Sequence, residues 1–427
     1  MTKAVDAPST RRVLAASLVG TSIEFYDFYV YATAASLVFG ELFFSAAPPA
    51  IRQLASFATL AVAFIARPLG SVFFGHFGDR IGRKSTLVAS LVTMGVSTLL
   101  VGFLPTYSQV GWWAPLILCV LRFGQGFGLG GEWGGAALLA VENAPPGWRA
   151  RFGSVPQLGA PVGFIMANGL YLLLGLWLSP AEFRDWGWRI PFLLSAGLVL
   201  VGLWIRLKLT ETRQFAEALE QAPPARVPIG TLLSTHLGPL VGGTFGAIAC
   251  FVLYYLATAF ALGFGTKTLG YTMSQFLLVQ LGAICMMALT IAISGWVADR
   301  HWDERRVLMG GCVVAIVTGF LIQPLMGSGS LFLVFVFLSL CMFAMGFCYG
   351  PLGGWLPSLF PPLVRYTGVS AAFNLASILG GGLTPIAAQW LATNRGLVPV
   401  GLYCSGLATI SLVALLAMGR GRRGAAG

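Results

Sequence analysis

Apolar residues run through this chain in long blocks, with neither the alternation of a half-buried strand nor the single apolar stripe of a surface helix. Most blocks come close to the ~20 residues that a helix needs to cross a hydrocarbon layer. Twelve spans are predicted, at 13–39, 52–74, 85–104, 114–141, 152–178, 190–207, 236–263, 275–298, 307–326, 330–358, 366–392 and 397–418. Backbone groups in lipid must be satisfied within their own segment, so the spans are helices and the fold class is an all-α membrane protein. A polar stretch at 208–230 divides them six and six. The expected organisation is an N-tail (1–12), a six-helix bundle (13–207), a linker (208–230), a second six-helix bundle (231–418) and a C-tail (419–427). Within the linker, 210–221 sets Glu211, Glu217 and Glu220 among Phe215, Ala216 and Leu219, which fits a short interfacial helix or a plain connector.

Composition agrees with the pattern. Of 427 residues 57% are hydrophobic and 10% charged, with a mean hydropathy of +0.81, far too little polar surface for a soluble domain, so the lipid bilayer is the expected solvent. The 55 glycines suit helices that pack backbone to backbone. A net charge of +11 suggests nucleic acid until its distribution is read. Nineteen Lys/Arg fall on one side of the predicted spans and five on the other; the remaining two, Arg67 and Arg122, lie within spans. This bias places both termini in the cytoplasm and turns the charge into a topology signal, with no nucleic-acid partner implied. The first apolar run carries Glu24 and Asp27, which a cleavable signal peptide would not, so that helix is expected to be retained.

Several chemistries find no support. The seven cysteines fall within spans without a CxxC pair, and the three histidines are scattered, so neither a metal nor a redox site is expected. No Walker A pattern, channel filter or nucleophile–base set is present, so an enzyme is not expected and no cofactor is called for.

Ionisable groups at membrane depth cost roughly 2.5–3.5 kcal/mol each on insertion scales and need a reason to be there. Glu24 and Asp27 stand three residues apart on one face of the first span, which Tyr31 extends. In the fourth span Arg122, Gln125 and Glu132 fall close together on the helical wheel, and the second span adds Arg67 before Pro68. Burial raises the pKa of a carboxyl and a nearby Arg lowers it, so an acid between the two can load and release a proton near neutral pH. Asp27, Glu24 and Glu132 are therefore candidate proton carriers tuned by Arg122, the alternative being structural ion pairs. Arg67 is either their counter-ion or a hook for a substrate carboxylate. Beyond residue 230 the acids are Asp299, Asp303 and Glu304, all in one loop, so the second half offers neutral groups such as Tyr254, Tyr255, Gln280, Gln323, Tyr349 and Asn374. The fifth span is dense in Gly and Pro from Pro156 to Gly163 and should bend, with Gln157 and Asn168 nearly on one face. Gln125, Tyr31, Gln157, Asn168 and Tyr349 join Arg67 as candidate substrate contacts.

Between the second and third spans lies Gly75-His76-Phe77-Gly78-Asp79-Arg80-Ile81-Gly82-Arg83-Lys84, and a weaker copy, Gly295-Trp296-Val297-Ala298-Asp299-Arg300, follows the eighth. Similar loops in matching places of two halves imply a duplicated six-helix unit. With Glu24-Phe25-Tyr26-Asp27, Arg67-Pro68-Leu69-Gly70, Gly130-Gly131-Glu132-Trp133, Trp186-Gly187-Trp188-Arg189 and Arg365-Tyr366-Thr367-Gly368, the chain resembles the metabolite:proton symporter family of the major facilitator superfamily. The likeness runs from about residue 11 to 418. That family includes carriers of shikimate, 2-oxoglutarate, citrate, and proline with glycine betaine.

The resemblance implies two bundles that alternate access around a midplane site, a small-molecule metabolite and protons as partners, and function as a monomer in a bacterial inner membrane. It also implies a gating loop at Gly75, Asp79, Arg80, Gly82 and Arg83, with Asp299 and Arg300 as its counterpart. The second loop departs from the pattern at Trp302-Asp303-Glu304-Arg305-Arg306, and Ser358 stands where relatives often carry an acid. The expected function is proton-coupled import of a small polar metabolite. A proton-driven exporter is the alternative; a membrane sensor would carry a longer tail.

Overall fold

The computed structural model describes residues 10–81, 83–130, 132–208, 228–361 and 364–420, and over 75–87 it describes main chain only. Of the gating-loop residues, Gly75, Asp79, Arg80 and Arg83 are described by their helical main chain alone, while Gly82 and the linker segment 210–221 lie outside the described residues. Among those described there is no strand. The first half is built from α1 (Thr10–Ala34), α2 (Pro49–Ile81), α3 (Arg83–Gly102), α4 (Trp113–Leu129), α5 (Glu132–Glu142), α6 (Arg149–Gln157), α7 (Gly159–Trp177) and α8 (Ile190–Lys208). The second uses α9 (Leu237–Tyr255), α10 (Met273–Arg300), α11 (Glu304–Phe320), α12 (Leu331–Tyr349), α13 (Arg365–Ala376), α14 (Thr384–Arg395) and α15 (Leu397–Arg420).

Several predicted spans are interrupted rather than continuous. The fourth is described as α4 up to Leu129, with a turn at Gly130, and as α5 from Glu132. The fifth breaks at Leu158, between Pro156 and Pro161, because each proline removes one main-chain donor from the ladder. The ninth breaks at Leu321. Three π-helical turns, Ala35–Phe39, Leu256–Phe260 and Ser377–Gly382, extend α1, α9 and α13. Among the described residues nine helical runs are long and apolar enough to cross a membrane, and the 85–104 span is represented by a shorter apolar helix, Val88–Gly102. Exposed tryptophans gather at both ends of the helices. Trp112, Trp177, Trp186 and Trp390 lie at one end, and Trp148, Trp204, Trp296 and Trp302 at the other. That distribution matches the aromatic girdles found at lipid–water boundaries.

Glycine sets the spacing inside the first half. Gly126 of α4 lies against the Ala63 carbonyl of α2, Gly70 against that of Phe127, and Gly130 against that of Arg67. A Cβ at any of the three would overlap main chain, so α2 and α4 are held at backbone contact. The pairing fixes Arg67 and Arg122, one on each helix, on the inner side. The halves meet along two seams. In one, α6 and α7 pack on α10; in the other, α2 packs on α13, α14 and the π turn between them. The run from α9 through Lys267 is almost wholly buried and occupies the centre of the second half.

Candidate transport site

A central cavity lies between the halves, with about 50 Å³ of space that water centres can reach. Glu24, Phe28 and Tyr29 of α1, Arg67 of α2 and Trp133 of α5 form one side. Phe251, Tyr254 and Tyr255 of α9, Tyr349 of α12 and Phe373 and Asn374 of α13 form the other. Its walls are aromatic, and its charged members are one acid and one guanidinium. The Arg67 guanidinium carbon lies 4.6 Å from the Phe64 ring centroid and 5.0 Å from that of Phe28. Arg67 Nε is buried without a hydrogen-bond partner among the described residues. A buried charged donor left this way is costly, and an oxygen ligand in the cavity would satisfy it.

A second buried network stands behind the cavity wall. Arg122 is fully buried, its guanidinium carbon 4.0 Å from the Tyr31 ring centroid and 4.5 Å from that of Phe28. Phe28 thus carries one guanidinium on the cavity side and another behind it. Arg122 Nη1 donates to Gln125 Oε1 at 3.0 Å, Gln125 Nε2 donates to Thr98 Oγ1 at 2.8 Å, and Thr98 Oγ1 donates to Asp27 Oδ2 at 3.2 Å. Asp27 is therefore linked to Arg122 through two neutral side chains, with no direct ion pair between them. Asp27 Oδ1 and Arg122 Nε and Nη2 are buried with no hydrogen-bond partner among the described residues.

Contacts close the cavity towards both ends. At the end bearing the basic loops, Asp299 at the close of α10 accepts from the Ala150 and Arg151 main-chain N–H groups at 2.9 and 3.0 Å. It also accepts from Arg151 Nε at 2.9 Å. A carboxylate on the first N–H groups of a helix meets both its unsatisfied donors and its dipole. Beside it, Ser154 Oγ lies 3.1 Å from the Gly350 carbonyl oxygen, and Gly153 meets Gly353 backbone to backbone. Nearer the cavity Trp133 stacks on Phe373, and Asn374 Nδ2 donates to the Gly130 carbonyl at 2.9 Å. Towards the opposite end Tyr29 stacks on Tyr254 with centroids 5.3 Å apart. There Ser36 Oγ reaches the Ala259 carbonyl oxygen at 3.0 Å, and Lys267 Nζ donates to Gln53 Oε1. Beyond that closure, the Ser179 hydroxyl and main-chain N–H hold the Glu182 carboxyl below the ordinary carboxylate range.

The sequence-predicted residues separate into groups. Glu24, Arg67 and Tyr349 line the cavity. Asp27, Arg122 and Gln125 share the network behind it. Glu24 and Asp27, expected to share a face, diverge: Glu24 faces the cavity while Asp27 turns to α3. Glu132 is the first described residue of α5, and its Oε1 accepts from Ser90 at 2.7 Å. Tyr31 donates to Thr59 Oγ1 at 2.7 Å under Arg122. Gln157 accepts from Trp133 Nε1 at 3.0 Å, which places it behind the Trp133 wall. Asn168 Oδ1 accepts from Thr33 at 2.6 Å, away from the cavity. Arg300 closes α10 beside Asp299. Sequence reasoning did not single out Thr98, Phe28, Tyr29, Trp133 or Phe373 for the site. An aromatic or a threonine within an apolar span carries no signal until the helix rotation is known. Among the described residues no His/Cys/Asp/Glu group could hold a metal ion, and all seven cysteines are free.

The pattern of the sugar (and other) transporter family matches residues 13–225. The inner membrane metabolite transport protein YhjE of Escherichia coli (strain K12) is 48% identical over 412 residues, covering 96% of this chain and 94% of that protein. The shikimate transporter of the same organism is 38% identical over 386 residues, covering 90% of this chain and 88% of that one. Among solved structures, the proton:xylose symporter XylE bound to 6-bromo-6-deoxy-D-glucose gives a TM-score of 0.74 at 18% identity. The match covers 96% of this chain and 95% of that chain, a likeness of fold.

Proposed function

The chain belongs to the major facilitator superfamily, among metabolite transporters, and on that footing we propose that it is a proton-coupled symporter. Its substrate in this reading is a small organic carboxylate or zwitterion, shikimate-like or betaine/proline-like, brought into the cell across the bacterial inner membrane. The observation that carries the reading is Arg67. It faces an aromatic cavity between the halves, with a buried donor that has no hydrogen-bond partner among the described residues, and Phe28, which it overlies, is preceded in α1 by the buried carboxyl Asp27.

Arg67 would take the substrate carboxylate, and Glu24 with the aromatic walls would take a cationic or apolar portion. Asp27 would carry the proton. A negative charge arriving at Arg67 favours the protonated form of a nearby carboxyl, and the same coupling makes a loaded proton favour the anion. The two would then bind and leave together. Alternating access follows if the contacts at the basic end and those at the opposite end break in turn.

Twelve spans in two bundles, with both termini in the cytoplasm, and a working monomer complete the proposal. The bias of Lys/Arg and the two tryptophan girdles support it. On this topology the basic end is cytoplasmic, and the 75–84 loop joins Asp299 as its latch.

The test uses purified protein in liposomes and an external pH electrode. Shikimate, other organic acids, glycine betaine and proline are added in turn. Alkalinisation outside on adding one compound is the expected result. No movement with any compound, together with outward transport of an apolar cation driven by a proton load, would replace symport by export.

A further inference from the structure

Thr98 holds one hydroxyl proton and two acceptors within reach of it: Asp27 Oδ2 at 3.2 Å and the Met94 carbonyl oxygen, one helical turn back, at 3.0 Å. It can serve only one at a time. From the far side Gln125 Nε2 donates to the same oxygen at 2.8 Å, and Gln125 is in turn fixed by Arg122 at 3.0 Å. Among the described residues Thr98 is the hydrogen-bond partner of the Asp27 carboxyl. We propose that Thr98 is the positioning residue for the transported proton, a hydroxyl whose direction follows the charge of Asp27. The proposal rests on the reading of Asp27 as proton carrier and goes beyond it.

With Asp27 ionised, the Thr98 proton points to Oδ2, and the Arg122–Gln125 pair supports the anion through the polarised hydroxyl. When Oδ2 takes a proton from water, it becomes the donor. Thr98 Oγ1 then accepts that proton's hydrogen bond, and its own proton turns to the Met94 carbonyl. The Gln125 donation persists in both states, so the guanidinium stays in place while the carboxyl loads and unloads. No bond is broken except the O–H bonds of the exchanging proton. Arg122 acts on the acid without pairing with it, which leaves the acid free to discharge. The titratable groups that face Asp27 besides this network are Tyr26 beside it on α1 and Glu132 on α5; Glu24, one turn back on α1, faces the cavity.

The test is a pH titration of the full-length protein in lipid, followed by infrared difference spectroscopy of the carboxyl C=O stretch. It needs no substrate. Asp27→Asn identifies the Asp27 band. Thr98→Val should move the midpoint of that band to higher pH by about one unit or more, since a donor to the charged form is lost. Thr98→Ser should return it to the parent value. Thr98→Ala, which only removes atoms, is measured beside Val and should move it in the same direction. An unmoved midpoint in both Val and Ala, or a Ser variant shifted as far as Val, overturns the role of Thr98 and leaves Asp27 as carrier. If Asp27→Asn removes no band, the proton-carrier reading falls and Thr98 falls with it.

Discussion

Trp133 and Phe373 lie face to face, their ring centroids 3.6 Å apart and their planes 6° from parallel. One belongs to the first half and the other to the second, so no opening of the cavity past them is possible while the stack holds. The Trp133 ring is fixed from behind by its indole N–H, which donates to Gln157. The pair is therefore a closure with one rigid leaf.

Replacing Phe373 by Leu should weaken that closure by roughly 1 kcal/mol, the order measured for aromatic pairs beyond their buried area. The population open to the basic end should rise accordingly. In a cysteine-free background, a single cysteine at Ser370 should react several-fold faster with an impermeant thiol reagent applied from that end. An unchanged rate would mean that the stack follows the gate rather than forming it.

Asp299 serves three N–H donors of α6 at once. An amide in its place keeps the size and loses the charge that the helix terminus and Arg151 complement. Asp299→Asn should bias the protein towards opening at the basic end, because hydrogen bonds to charged groups contribute about 1.5–3 kcal/mol net each. Net accumulation should fall more than substrate binding does. Equal losses of both would point to damage at the substrate site instead.

Gly353 approaches Gly153 so closely that a Cβ would overlap the Gly153 carbonyl. On the proposed alternating-access cycle this contact belongs to the state shut at the basic end, so bulk there would act on that state. Gly353→Val should leave expression near normal and block closure at that end, abolishing net transport. Distances between spin labels across the seam should lengthen, and unaltered distances would show that the backbones yield.

Arg67→Lys keeps the charge but not the planar fork that lies over Phe64 and Phe28. Carboxylate recognition by two parallel N–H groups and the ring contacts should both suffer. The expected outcome is a KM raised tenfold or more in the liposome assay, with the proton requirement retained. Asp27→Asn should do the reverse, ending proton-driven accumulation while exchange of bound substrate continues.

The all-helical fold was legible because the apolar blocks are long enough to cross a bilayer. The buried acids and guanidiniums were legible because each is anomalous at membrane depth. Their partition was not. Glu24 and Asp27 are three residues apart, and which of them meets the cavity depends on how α1 is rotated against α3 and α7, a tertiary property. Glu132 was grouped with Arg122 on a helical wheel, and its hydrogen bond to Ser90 of α3 is a tertiary contact that no wheel displays. Gln157 and Asn168 share a face only on a regular helix, and the break at Leu158 sends them to different neighbours. Thr98 had no signal at all. A threonine among Val, Met and Leu reads as packing until an acid is found opposite it.

The acids at and behind the central cavity, Glu24 and Asp27, sit in the first half, and the aromatic face opposite them contributes neutral groups. A membrane voltage does work only on charge, about 2.3 kcal/mol per elementary charge per 100 mV. On the proposed reading, the charges that such a voltage meets around the cavity, Glu24 and Arg67, belong to the first bundle, while the second bundle presents neutral groups there.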